Sequence, residues 1–133
     1  MKKTFISFAA FLAAGCMFFS CSGNVKHADY NVIPAPLEVA MGQEGAFVLT
    51  DGTKIFFPEG NEKMQRNAEF LAEYMLEQTG KTLVPQAGTE GNGIVLQVVS
   101  NDEQPEGYSL KVTPAQVVIT GGSEAGVFYG IQT

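Results

Sequence analysis

A chain of 133 residues with 45% apolar and 17% charged side chains has the composition of one small globular domain and is too short for two. Its net charge of −6 argues against binding a phosphate backbone. One histidine and two cysteines, all within the first 27 residues, exclude a zinc cluster and a Cys–His nucleophile in the folded part of the chain.

The N-terminus has the order of a secretory signal peptide. Met1-Lys2-Lys3 precedes an apolar run from Phe5 to Phe19, shorter than the ~20 residues needed to span a bilayer. Both cysteines lie at the end of this run. Leu12-Ala13-Ala14-Gly15-Cys16 is nearer the usual spelling of a bacterial lipobox, but Cys16 is followed by Met17-Phe18-Phe19. Cys21 is better placed, because polar Ser22-Gly23-Asn24 follows it. The expectation is a lipoprotein signal peptide over residues 1–20, lipidation at Cys21 with Cys16 as the alternative, and a tether over 21–30. A Cys16–Cys21 disulfide is the competing reading. It is disfavoured because both residues fall in the segment expected to enter the membrane, which leaves the fold to rely on its core. Cleavage removes two lysines and no acids, so the mature charge becomes −8. With no polybasic patch for anionic lipids, membrane attachment is expected through acyl chains only, and no nucleic-acid partner is expected.

Asn31-Val32-Ile33-Pro34-Ala35-Pro36 reads as extended backbone, since two prolines at alternate positions enforce it. Leu37 to Met41 alternates as a strand, Gly42 to Gly45 turns, and Ala46 to Thr50 returns as a second strand. After the Asp51-Gly52 turn, Thr53 to Phe57 is β-prone and Pro58 ends it. Residues 61–79 form the clearest helix, capped by Asn61 and stopped by Gly80. Met64, Ala68, Leu71, Ala72, Met75 and Leu76 share one face, and Phe70 and Tyr74 widen its edge. The charged residues lie mostly opposite, as a solvated face. Lys81 to Val84 reads as a short strand and Ile94 to Val99 as a central one. Tyr108 to Val112 and Val117 to Thr120 form a hairpin, and Ser123 caps a final helix after Gly121-Gly122. The order predicts an α+β fold with helices on one face of a mixed, mainly antiparallel sheet, occupying residues 31–133.

Catalytic chemistry is hard to find in this chain. Asp102-Glu103 is the only Asp-Glu dipeptide, but it sits in a polar loop with nothing apolar beside it to raise a pKa. Asp51 reads as a turn residue. Gly88 to Gly93 precedes a strand and not a helix, so it reads as a loop and not a phosphate cradle. Tyr108, Phe128 and Tyr129 could stack on a sugar, although aromatics at strand and helix spacing are more often core. No catalytic, cofactor-binding or metal residue is assigned, and no cofactor is expected.

Several segments occur together in one order. They are Val32-Ile33-Pro34-Ala35-Pro36, Gly45-Ala46-Phe47-Val48-Leu49, Glu77-Gln78-Thr79-Gly80, Glu106-Gly107-Tyr108-Ser109-Leu110, Val117-Val118-Ile119 and Gly126-Val127-Phe128-Tyr129-Gly130-Ile131-Gln132-Thr133. In this order they resemble the N-terminal domain of bacterial β-N-acetylhexosaminidases, the family 20 glycoside hydrolases. The resemblance implies a zincin-like sheet-and-helix module without zinc, placed ahead of a catalytic (β/α)8 barrel. In that barrel a His-x-Gly-Gly-Asp-Glu motif serves a substrate-assisted hydrolysis of terminal N-acetylhexosamine (GlcNAc or GalNAc), outside the usual two-carboxylate scheme. Asp102-Glu103 does not match the motif, so no catalytic residue carries over.

The final segment reads as the opening of a helix into the barrel, which predicts a chain truncated before its catalytic part. The 133-residue chain is expected to be inactive and to support an intramolecular barrel. The parent enzyme is expected to be lipid-anchored in the cell envelope of a Gram-negative bacterium, in the periplasm or at the outer-membrane surface. A free-standing, surface-anchored glycan-binding module is the alternative, and a module ahead of another barrel, such as an α-glucuronidase, is a third reading. The last helix is short for independent stability, so Val127, Phe128 and Ile131 are expected to fray and expose an apolar patch that favours aggregation.

Overall fold

The computed structural model describes residues 32, 35–40, 42 and 45–133. Five strands and two helices follow in the order β1 (Lys54–Phe57), α1 (Glu62–Thr79), β2 (Val84–Ala87), β3 (Gly93–Val98), β4 (Tyr108–Val112), β5 (Gln116–Gly121) and α2 (Glu124–Gln132). The strands form one sheet in the order β2-β1-β3-β5-β4.

The α+β class and the mixed sheet agree with expectation, but the balance of pairings does not. β1 is parallel to β2 and to β3, and β3 is parallel to β5, while among the described residues only β4 and β5 pair antiparallel. The physical reason lies in the connections. The chain leaves β1 through the 18-residue α1 before β2, which is the kind of crossover that parallel neighbours require. The antiparallel expectation depended partly on a hairpin from Leu37–Met41 and Ala46–Thr50. Residues 37–40 and 46–50 take no strand conformation, and Met41 lies outside the described residues. Phe47 and Leu49 nevertheless pack, half-buried, against the core.

β2 begins at Val84, where the expected strand ended, and it runs through Pro85. Proline is tolerated there because β2 is an edge strand: Pro85 pairs with Ile55 of β1 on one side only. β3 is central, as its run of apolar residues implies, with Gly93 through Leu96 all buried.

Both helices cover one face of the sheet. Ile55 and Phe57 of β1, Ile94 and Leu96 of β3 and Ile119 of β5 alternate toward Met64, Ala68 and Leu71 of α1 and Val127 and Ile131 of α2. Leu76, expected among the core positions of α1, is exposed, and Met75 is only partly buried. The other face carries the alternate residues, with Phe56, Val95 and Val118 in register across three strands. The 88–92 loop folds back over Phe56. A Cβ on Gly91 would stand 2.6 Å from Phe56 Cε2, and φ there is +150°. Gln116 Nε2 holds the loop by donating to Gly91 O at 3.0 Å. Further along this face Gln97 Nε2 donates to Thr120 Oγ1 at 2.9 Å, a polar pair suited to solvent.

The final helix does not fray as expected. Val127 is fully buried and Ile131 nearly so. Gly130 makes this possible, because a Cβ there would lie 2.5 Å from Ile119 Cγ2. Tertiary packing therefore stabilises nine residues that would be marginal as an isolated helix.

Candidate functional site

The residues considered for chemistry in the sequence are dispersed. Cys16, Cys21 and His27 lie outside the described residues. Asp102 and Glu103 are exposed in a turn whose backbone is organised by Asn101: its Oδ1 accepts from the N–H groups of Glu103 (3.1 Å) and Gln104 (3.3 Å). Asp51 Oδ1 accepts from the N–H of Thr82 at 2.9 Å, which is a structural role at the β1 entrance. Among the described residues no group of three His, Cys, Asp or Glu side chains could hold a metal ion.

In a sheet with parallel strands, ligands most often sit beyond the carboxyl ends of the strands, near a helix N-terminus. Here that position is the junction of β5 and α2, and the protein fills it with its own backbone. Ser123 Oγ accepts from the N–H groups of Ala125 (3.2 Å) and Gly126 (3.4 Å) and donates to Pro105 O at 2.6 Å. A Cβ on Gly126 would lie 2.5 Å from Gly107 O and 3.0 Å from Pro105 O. Gly122 is equally close to Gln104 O, and its N–H donates to Gly107 O at 2.8 Å. These glycines admit the 101–107 loop against the helix N-terminus, so they serve packing and leave no cradle for an anion.

The two helices are joined at their N-termini. Asn61 Oδ1 caps α1 by accepting from Met64 N at 3.1 Å, while its Nδ2 donates to Glu124 Oε1 of α2 at 3.1 Å. Asn67 Nδ2 adds a bond to Glu124 O at 2.9 Å. The hydrogen bond from Asn61 holds the Glu124 carboxyl below its ordinary value, with a smaller contribution from the backbone at Glu124.

This clamp sets one surface feature of note. Phe70 and Tyr74 of α1 lie nearly parallel, with centroids 6.2 Å apart and planes at 14°. Phe70 also meets Phe128 of α2 at 5.3 Å, and Phe128 meets Tyr129 at 6.3 Å. All four rings are more than a third exposed on the outer side of the helix layer. The grouping of Tyr108 with Phe128 and Tyr129 suggested by the sequence is not the one formed. Tyr108 packs beside Gly130, and its hydroxyl bonds with Thr133 Oγ1 at 2.5 Å. The four-residue spacing of Phe70 and Tyr74 marked them as the edge of a stripe, but only the contact between the helices shows that Phe128 and Tyr129 continue it.

The model of glycosyl hydrolase family 20, domain 2, matches residues 29–133. The beta-hexosaminidase of Porphyromonas gingivalis (strain ATCC BAA-308 / W83) is 27% identical over 143 aligned positions, which take in all of this chain and 18% of that protein. The N-acetyl-beta-hexosaminidase of Streptomyces plicatus, solved in complex with Thio-NAglucal, superposes with a TM-score of 0.65 at 34% identity, over 75% of this chain and 19% of that one. The family 20 β-N-acetylhexosaminidase of Streptomyces coelicolor A3(2) gives 0.66 at 31% identity, over 75% and 20%. The chain thus spans about a fifth of the length of these relatives. With a family model covering most of its length and a shared fold at more than 30% identity, the chain belongs to glycosyl hydrolase family 20 as that family's domain 2.

Proposed function

We propose that this chain is the accessory, non-catalytic domain of a β-N-acetylhexosaminidase, and that it supports a catalytic barrel by docking the outer face of α1 and α2 on it. The parent enzyme would release terminal N-acetylhexosamine from glycans. The observation that carries the reading is the aromatic quartet Phe70, Tyr74, Phe128 and Tyr129, exposed on a domain whose relatives are about five times longer. An isolated domain gains nothing from four clustered exposed rings, whereas burial of each against a partner is worth roughly 1–3 kcal/mol. On the opposite sheet face the 88–92 loop covers Phe56, and beyond it Gln97, Thr120, Ser109 and Lys111 suit solvent. Within the same proposal the parent is anchored in the cell envelope through an acylated Cys21 or Cys16. The support for this is the basic, apolar and cysteine order of residues 1–21.

Two measurements test the reading. The purified chain is expected to release no chromophore from a chromogenic N-acetylglucosaminide, and turnover above a buffer blank would overturn the non-catalytic assignment. In the longer polypeptide, Phe70→Ser with Phe128→Ser is expected to lower the melting temperature of the catalytic part while leaving the domain's own fold intact. An unchanged melting temperature would place the docking face elsewhere.

A further inference from the structure

Two dipeptides in this chain carry the chemistry of backbone succinimide formation: Asp51-Gly52 and Asn92-Gly93. In each, the glycine lacks a Cβ that would hinder attack of its amide nitrogen on the preceding side-chain carbonyl carbon. The structure treats the two differently. At Asp51-Gly52 both reacting groups are held. Gly52 N donates to Thr82 O at 2.8 Å, and Asp51 Oδ1 accepts from Thr82 N at 2.9 Å. Two bonds to one residue keep nucleophile and electrophile in a fixed turn.

At Asn92-Gly93 only the nucleophile is held. Gly93 N donates to Ala115 O at 3.2 Å, a longer bond at the first residue of β3. The Asn92 amide is exposed, lines an open groove of about 320 Å³ and makes no hydrogen bond among the described residues. Water therefore reaches the carboxamide, and one backbone bond must open before attack.

We propose that Asn92 is a site of spontaneous deamidation in the folded protein, gated by opening of the Gly93–Ala115 bond. The Gly93 amide loses its proton to solvent base, and its nitrogen bonds to Asn92 Cγ. The Cγ–NH2 bond breaks and ammonia leaves with a proton from water, closing a five-membered succinimide. Water then opens the ring at either carbonyl. Attack at Cγ gives aspartate in the normal chain, and attack at the main-chain carbonyl gives isoaspartate, with the backbone rerouted through the side chain. No oxidant or reductant is needed. The iso product inserts an extra backbone carbon immediately ahead of β3. Gly93 is confined there, because it sits against Lys54 O with no room for a Cβ, and its register with Lys54 and Gln116 joins the three middle strands of the sheet. Modification at Asn92 should therefore weaken the central strand from its first residue.

The test is incubation of the 133-residue chain at mildly alkaline pH, native and in urea, followed by peptide mapping by mass spectrometry. The native chain is expected to acquire the –NH2 to –OH mass change at Asn92, about fivefold more slowly than the unfolded chain. That factor corresponds to one net backbone hydrogen bond that must open. Isoaspartate at position 51 is expected only in urea. Asn92→Gln should abolish the change at that position, because the longer side chain would have to close a six-membered ring. A native chain unmodified at Asn92, equal rates in both conditions, or isoaspartate accumulating first at Asp51 in the native chain would each overturn the proposal.

Discussion

Asn61 closes two helices at once. Its oxygen ends α1 and its amide nitrogen reaches Glu124 at the first turn of α2. Loss of the cap alone costs about 1 kcal/mol, so Asn61→Ala should lower the melting temperature by several degrees in a domain of this size. The same bond gives a pH dependence whose sign is determined. Glu124 is held below its ordinary value in the folded state, so its contribution is present above the unfolded value and is lost as pH falls through the lowered one. The group is largely solvated, so the contribution is modest. Melts taken from neutral pH down through the carboxylate range should show a shallower acid-side loss in Asn61→Ala than in the unaltered chain. An identical slope would show that the Asn61 bond does not set the titration of Glu124.

At the scale of elements, α2 shows packing overriding propensity. Gly126 and Gly130 lie within a nine-residue helix, where alanine would be preferred by about 1 kcal/mol each. Gly130→Ala would gain that increment and lose more. Its Cβ would meet Ile119 Cγ2 at 2.5 Å and Tyr108 Cδ2 at 3.2 Å, and overpacking of this kind typically costs about 1–3 kcal/mol. Net destabilisation on urea unfolding is the expected outcome, and a gain in stability would show that α2 can move off the sheet without penalty. These glycines were visible in the sequence, but they read there only as part of a family motif. Their role as contact points requires β5 and the 101–107 loop to be in place. β2 is a similar case. The expected strand stopped at Val84, yet Pro85 is harmless on an edge whose only neighbour among the described residues is β1.

The described residues form a sheet with a helix layer on one face, the helix layer bearing an aromatic outer surface, while the other face is part covered by the 88–92 loop over Phe56 and part polar. Leu96 is fully buried at the centre of the sheet, so Leu96→Ala should cost about 2–5 kcal/mol. Phe70→Ser with Phe128→Ser removes partly exposed rings outside the core, so it should cost less than Leu96→Ala and should reduce concentration-dependent association of the isolated chain in light scattering. Association unchanged by that double substitution would mean another surface carries it. The sequence had already led to an expectation of an exposed apolar patch at the final helix. The structure assigns the patch to different residues: Val127 and Ile131 are inside, while Phe128 and Tyr129 join Phe70 and Tyr74 outside.

The sequence by itself determined what depends on short stretches of chain. It marked the limits of α1 through Asn61 and Gly80, the β4–β5 hairpin through its turn, the central strand through its lack of charge, and the family through the order of its segments. Caps, turns and periodicity act within a few residues, so they are legible without knowing the partners. Tertiary structure alone decided that three of the four strand pairings are parallel, that α2 is seated, and which aromatic rings share a face. Each of these is a choice between partners distant in sequence. It is made by which arrangement buries the Ile55–Ile94–Ile119 face most completely, and that free energy exists only once the layers have come together.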